Sequence, residues 1–393
     1  MKEKHSALLP TLALAFGTFG IAVTEFSPMG ILPLIATGLN VSIPTAGFLV
    51  TAYAVGVVIG APLMTLTTAR MPRRALLIFL MIIFTAGNIL AASSDGYGML
   101  LAARILTSLS HGAFQGIGAV VAASIAPEGR RAGAVATVLM GVTLANVGGV
   151  PLATCAGELL GWRAVFIGIG AMGLITILLL WMVLPDAPAK KNVDMTAELR
   201  VLKRRPVIVA LAITVVGSSA MFTVFTYISP ILQNYTHETS LFVSIALVIY
   251  GIGLTIGNWL GGHFADKSVD ATILTALSAL TVLLMLFAWA MRWPSPAAVL
   301  IFLWGVATFA LVPPLQLRVM MNAGDAPNLA SAMNIGAFNF GNAIGATLGG
   351  TVLNWGFGYP AVSLAGAVMA GAGFVMTLVF RSGEANASTE RRA

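Results

Sequence analysis

The chain has 393 residues, of which 58% are hydrophobic and 9% charged, with 42 glycines and a formal net charge of +7. A soluble domain devotes roughly a quarter of its residues to Asp, Glu, Lys and Arg, so this composition excludes a soluble globule and points to an all-α integral membrane protein. The positive charge does not indicate nucleic acid, because the basic residues sit in short loops between apolar runs, and the single Cys155 excludes an intrachain disulfide and a thiolate metal cluster.

The start, Met1-Lys2-Glu3-Lys4-His5, imitates a signal peptide, but the apolar run behind it continues to about Ile35 without a small-residue cleavage site and reads as a retained first helix. Apolar runs long enough to cross a bilayer then follow one another along the chain. They predict twelve spans, at 8–35, 44–68, 75–94, 97–126, 131–158, 162–184, 207–234, 240–264, 270–291, 295–321, 327–355 and 359–381. Barrel strands would be runs of about ten residues of alternating polarity, which the sequence lacks. Pro185, Pro188 and a closing Lys203-Arg204-Arg205-Pro206 mark 185–206 as the one long polar connection. The expected organisation is a six-helix bundle over 1–184, a cytoplasmic linker over 185–206, a second six-helix bundle over 207–381 and a cytoplasmic tail over 382–393. Basic residues gather in alternate loops, as at Arg70, Arg73, Arg74, Arg130 and Arg131, against only Arg163 and Arg292 on the other side. That bias predicts both termini in the cytoplasm.

The two halves resemble each other. Thr24-Glu25-Phe26-Ser27-Pro28 matches Thr226-Tyr227-Ile228-Ser229-Pro230 at offset 202. Tyr53, Gly56, Ile59, Gly60 and Leu63 match Tyr250, Gly253, Ile256, Gly257 and Leu260 at offset 197, and Asn146, Gly149 and Leu152 match Asn342, Gly345 and Leu348 at offset 196. Three matches in order argue for duplication, with both halves starting on the same side of the membrane and a ligand site expected near the midplane. Pro28, Pro151, Pro230 and the Pro313-Pro314 pair each remove a backbone hydrogen bond and are expected to bend or break a helix.

Thirteen of the fourteen acidic residues can be placed in loops, at termini or at span ends; the exception is Glu25. A carboxylate at bilayer depth costs several kcal/mol unless it faces water, pairs or takes up a proton, so it is a functional candidate by default. Two readings are open: a proton carrier, or a static ion pair with Arg104. At ~1.5 Å per residue, Glu25 lies about 15 Å below the outer end of its span, between Arg104 and His111 at about 10 and 21 Å. Arg104 and His111 are two helical turns apart and share a face, which makes the imidazole a candidate for proton coupling or substrate binding. Tyr227 takes the place of Glu25 in the second half, so that half suits a neutral substrate. Gln115, Asn146, Thr223, Thr226, Tyr227, Asn258, Asn334, Asn339 and Asn342 are candidate hydrogen-bonding contacts, with Phe222, Trp304 and Phe338 as apolar wall. Each could instead bond only a neighbouring helix.

Gly262-His263-Phe264-Ala265-Asp266-Lys267 resembles the G-x-x-x-D-R/K loop motif of the major facilitator superfamily, whose Asp can cap a helix end and pair with a basic residue to hold a gate. The counterpart after span 2 has Thr65 for the Gly and Ala69 for the Asp, and keeps Arg70, Arg73 and Arg74. Gly141-Val142-Thr143-Leu144-Ala145-Asn146-Val147-Gly148-Gly149-Val150-Pro151 looks like the antiporter motif of drug exporters in that superfamily, with Gly-Val-Pro where Gly-Pro is usual. Arg104 followed by Ser110-His111-Gly112-Ala113-Phe114, and Thr24-Glu25-Phe26-Ser27-Pro28, are similar to the arabinose-efflux-permease-like, sugar-efflux branch of the twelve-span proton antiporters. The resemblance spans essentially the whole chain. It implies the major facilitator fold, two pseudo-symmetric six-helix bundles, in a bacterial inner-membrane, multi-pass exporter of a drug, sugar or nucleoside-like molecule. A proton gradient would stand in place of any cofactor, protons, substrate and lipid would be the partners, and a monomer is expected. The alternative is a proton symporter or facilitator for a sugar on the same scaffold. No His-Glu-x-x-His, aspartate pair or Gly-x-Ser-x-Gly points to an enzyme.

Overall fold

The structure, a computed structural model, describes residues 8–68, 71–127, 131–185, 204–265, 267–323 and 327–380. These residues are almost entirely helical. In chain order the helices are α1 (Leu8–Gly30), α2 (Leu32–Gly38), α3 (Ile43–Thr67), α4 (Arg73–Ala92), α5 (Tyr97–Ile125), α6 (Arg131–Leu144), a π-turn over Ala145–Gly149, α7 (Val150–Leu160) and α8 (Trp162–Val183). The second half gives α9 (Arg205–Phe225), α10 (Ile228–Asn234), α11 (Ser240–Ala265), α12 (Val269–Ala290), α13 (Pro294–Ala310), α14 (Val312–Ala323), α15 (Pro327–Asn354) and α16 (Gly358–Val379). Every expected span is occupied by one helix or by two in sequence. Among the described residues eleven of these stretches are long and apolar enough to cross a membrane. The twelfth, α15, has 28 residues but carries Asn334, Asn339 and Asn342 among several glycines, which dilute its apolar character.

Local chemistry sets the ends. Ser42 and Ser268 cap α3 and α12 by accepting from Thr45 N at 3.2 Å and Ala271 N at 3.3 Å, which satisfies a helix-start amide that has no partner within the helix. Gly161 alone joins α7 to α8 at φ 87°, a conformation closed to residues with a Cβ. The prolines behave largely as expected. Pro230 and the Pro313-Pro314 pair lie in the first turns of α10 and α14, where a missing N–H costs little, whereas Pro151 enters α7 straight from the π-turn with no break in the helix. Pro28 lies inside α1, and the chain breaks three residues later, at Ile31.

Contacts divide the chain into two compact units, Met1–Val193 with Tyr227–Val248, and Asp194–Thr226 with Ile249–Ala393. Most of the 185–206 connection and the 382–393 tail lie outside the described residues, as do Arg70 and Asp266 of the expected gating loops. In the first unit α1 packs on α6, the π-turn and α8, and α5 packs on α3 and α4; in the second, α9 packs on α15 and α16. Glycines allow the closest of these approaches. A Cβ on Gly141 would sit 2.8 Å from the Phe19 amide of α1, and one on Gly345 would sit 2.8 Å from the Thr223 amide of α9.

Two geometric features revise the register of the duplication. The α1–α2 break at Ile31 (φ −111°, ψ 16°) is repeated at Tyr227 (φ −110°, ψ 15°), between α9 and α10. Gly149 meets the Val23 side chain, and its repeat partner Gly345 meets the Ser219 carbonyl. Both correspondences run at offset 196, in line with the other spans. The counterpart of Glu25 is therefore Met221, and the expectation that Tyr227 stands in its place is corrected. The Thr-x-x-Ser-Pro likeness at offset 202 brings together residues at different depths of their helices.

Candidate functional site

The charged centre lies within the first unit, where α1, α3, α4 and α5 each contribute a side chain. Its construction begins with Pro28. With no N–H, Pro28 cannot bond the Thr24 carbonyl one turn back, which leaves that oxygen open to an outside donor. Arg104 Nη1 of α5 donates to it at 2.6 Å. The Thr24 hydroxyl donates in turn to Asn88 Oδ1 of α4 at 2.6 Å, and the Asn88 amide donates to the Phe84 carbonyl at 2.8 Å. Arg104 is 1% exposed, and its Nε and Nη2 have no hydrogen-bond partner among the described residues.

Tyr53 of α3 connects the two polar residues of α5. The Arg104 guanidinium lies 4.0 Å over its ring, a cation–π contact away from bulk water. The Tyr53 hydroxyl is 3.2 Å from His111 Nδ1. A tyrosine O–H donating to Nδ1 leaves the imidazole proton on Nε2, and Nε2 is the atom that faces Glu25, 3.8 Å from Oε2. That separation suits an ion pair once the imidazole is protonated, and it is longer than a neutral hydrogen bond. Gln115, one turn beyond His111, is hydrogen-bonded to it. Arg104 and His111 thus share one face, as their spacing predicts. The static Glu25–Arg104 pair does not form: Arg104 is engaged by Thr24 and Tyr53, and the carboxylate turns to the imidazole. Such an arrangement can take up and release a proton at Glu25 and His111 while Arg104 keeps its charge.

Tyr53, Thr24 and Asn88 are absent from the sequence-based candidates. Tyr53 was visible only as a marker of the repeat, Thr24 as part of the repeat and of the sugar-efflux resemblance, and Asn88 not at all. The antiporter-like motif supports the same centre from behind. Gly141 and Gly149 lie against Ala15, Thr18, Phe19 and Val23 of the helix that carries Glu25, whereas Gly148 faces open space. Pro151 is buried directly after the π-turn. The Asn146 amide donates to Val142 O on its own helix at 3.0 Å, and Tyr227 is packed against Gly47 in the first unit. Of the gating residues, Arg74 donates to Trp181 O, Arg73 opens α4, Lys267 lies 5.5 Å over the Phe264 ring, and Gly262 has open space around it.

The other candidate substrate contacts belong to the second unit. Thr223 and Thr226 donate to the carbonyls one turn back on their own chain, both at 2.7 Å. Asn334 is fully buried, accepting from Thr214 at 2.7 Å and donating to Gln316 at 2.6 Å. Asn339 donates to Ile335 O, and the side-chain oxygens of Asn339 and Asn342 have no hydrogen-bond partner among the described residues. Phe222 meets Phe225 edge-on, Phe338 packs against the α9–α12–α14 core, Asn258 is exposed, and Trp304 is buried.

Paired breaks, repeated helix packing and a charged centre buried among membrane-length helices define a membrane transporter. The sequence model of the Major Facilitator Superfamily matches residues 14–333, and the chain belongs to that family. It is 53% identical over 95% of both chains to the inner membrane transport protein YdhP of Escherichia coli K12. It is 38% identical over 90% of both chains to the MFS-type transporter YtbD of Bacillus subtilis strain 168. Among solved structures it resembles a bacterial homolog of the human lysosomal transporter Spinster, inward-facing and unoccupied, with a TM-score of 0.70 at 16% identity over 96% of this chain and 94% of that one.

Proposed function

We propose that this transporter is a proton-coupled exporter of a small molecule in a bacterial inner membrane, working as a monomer with both termini in the cytoplasm. One observation carries the reading: Glu25, a buried acid on the first span, lies 3.8 Å from the titratable His111, while the Arg104 guanidinium is bonded to the Thr24 carbonyl and acts on the carboxylate only at longer range. A carboxylate locked to arginine would hold one charge state throughout; a carboxylate opposed to an imidazole can change its proton with conformation. In the proposed cycle Glu25 is protonated from outside, the substrate leaves outward, and the proton is released inside. Coupling arises because proton and substrate favour different states of the alternating-access cycle. The substrate is a drug, sugar or nucleoside-like molecule, and no cofactor other than the proton gradient is required. Asp266 and Lys267, with Arg70, Arg73 and Arg74, would hold the cytoplasmic gate.

The experiment is Glu25→Gln, reconstituted in proteoliposomes across an imposed pH gradient. The expected result is normal expression and insertion with loss of gradient-driven transport. Full coupled transport in that variant would move the proton site elsewhere.

A further inference from the structure

In the second unit, an exposed apolar face of α12 ends in a turn that carries a cation between two indoles. Val282, Met285, Leu286 and Trp289 are exposed at spacings of three and four, so they share one face of the helix. The turn that follows is fixed: Met291 is buried, its N–H donates to Phe287 O at 2.9 Å, Trp293 N donates to Ala290 O at 3.0 Å, and Pro294 opens α13. The Trp289 and Trp293 rings meet edge to face at 4.8 Å, yet they are 62% and 40% exposed. Rings with an apolar body and one N–H belong at the boundary between lipid tails and water. Trp355 and Phe357 are exposed at the same end, since Ser363 near the start of α16 donates to Leu284 O near the end of α12 at 2.7 Å.

Arg292 is the cation of this turn. Its guanidinium carbon lies 4.5 Å over the Trp293 ring and 5.9 Å from the centre of the Trp289 ring. Nε donates to Trp289 O at 3.3 Å, which leaves both Nη groups without a hydrogen-bond partner among the described residues. The sequence has no acid between Asp270 and Asp325, nor between Asp325 and Glu384, so the turns at 291–293 and 355–357 hold no carboxylate to pair with it. Arg163, the other basic residue expected outside the cytoplasmic loops, is built differently. Its Nη2 donates to Ser94 O at 2.8 Å and its guanidinium lies over the buried Trp162. Tying one turn to another accounts for Arg163; it does not account for Arg292.

We propose that Trp289, Arg292 and Trp293 form a binding site for an anionic phospholipid, with its phosphate on the Arg292 Nη groups and an acyl chain along the exposed face of α12. A planar guanidinium offers a phosphate two parallel donors, and the indoles hold that fork in place without neutralising it. From Val282 to Trp289 the helix face runs about 10 Å, which suits the upper part of an acyl chain. A lone cation selects a headgroup of net negative charge; the ammonium of an ethanolamine or choline headgroup would find no carboxylate here. With both termini in the cytoplasm, this end of the unit meets the outer leaflet. The site is separate from the proton-coupling reading, since none of its residues belongs to α1, α3 or α5.

Native mass spectrometry of the full chain in detergent, titrated with dioleoylphosphatidylglycerol, dioleoylphosphatidylcholine or dioleoylphosphatidylethanolamine, counts the lipids held per chain. Wild type should hold one more phosphatidylglycerol than Arg292→Gln, and the same number of the two zwitterionic lipids as that variant. Arg292→Lys should keep the extra lipid with about tenfold weaker affinity, because an ammonium is a point charge without the planar fork. Replacing Trp289 and Trp293 together by leucine keeps the face apolar but removes the stacking, and should weaken the lipid by a similar factor of about ten. Phosphatidylglycerol should raise the thermal midpoint of wild type more than that of Arg292→Gln, with equal midpoints for the two before lipid is added. Equal phosphatidylglycerol counts in wild type and Arg292→Gln would overturn the assignment. So would a zwitterionic lipid lost with the arginine in the same way, a midpoint rise with inorganic phosphate as large as with the lipid, or a lowered lipid-free midpoint in Arg292→Gln.

Discussion

Pro28 matters for the hydrogen bond it cannot make. The carbonyl it leaves open holds Arg104, Arg104 lies over Tyr53, and Tyr53 sets the ring nitrogen that His111 presents to Glu25. Two expectations belong to this scale. Tyr53→Phe removes only the hydroxyl on Nδ1, so the imidazole loses its preferred tautomer. Gradient-driven flux should fall about tenfold with an altered pH profile and an unchanged KM, measured in proteoliposomes; a variant that merely packs badly would lose protein and leave the profile in place. Arg104→Lys keeps the charge but cannot both reach the Thr24 carbonyl and cover the Tyr53 ring with a planar group. Coupled flux should fall about tenfold or more at normal expression, and wild-type flux would show that charge alone suffices. At this scale the sequence made Glu25, Arg104 and His111 legible, because charge in an apolar span is conspicuous. Tyr53 and Asn88 were not, since an aromatic or an amide in a membrane helix has many ordinary uses.

Glycine spacing decides how the helices meet. Gly253, Gly257 and Gly261 recur every fourth residue on α11, and Cβ atoms there would strike the α13 backbone at Phe302, Val306 and Ala310. Gly257→Ala should therefore destabilise by about 1–3 kcal/mol through overpacking. Gly116→Ala on α5, where a Cβ meets nothing within 4 Å, should leave the thermal midpoint unchanged or slightly raised. Equal midpoints for the two variants would show that α11 and α13 can separate without loss. Spans and small-residue stripes were readable from hydropathy and period. The pairing of Glu25 with Met221 was not, because a five-residue likeness carries less information than the position of a backbone break. The π-turn at Ala145–Gly149 likewise followed from no single residue type.

For the molecule as a whole, direction of transport follows from which states proton and substrate favour. Antiport requires that reversing the pH gradient in proteoliposomes drive substrate opposite to protons. Movement with protons would make the chain a symporter, and movement indifferent to the gradient a facilitator. Orientation is checked by fusing a reporter that is active only in the cytoplasm to the C-terminus, with activity expected from the basic-residue bias. Hydropathy by itself located the helical runs, eleven of which are long and apolar enough to cross a membrane among the described residues, since burying backbone in lipid leaves helix as the available solution for such runs. Sequence spacing determined that Arg104 and His111 share a face, since helical period depends on the backbone alone. Only the tertiary structure decided that this face meets Tyr53 and Glu25, that Arg104 holds a carbonyl in place of a carboxylate, and that Met221 holds the place of Glu25 in the second half. Those outcomes depend on how each helix is rotated and how closely its neighbour approaches, and contacts distant in sequence set both.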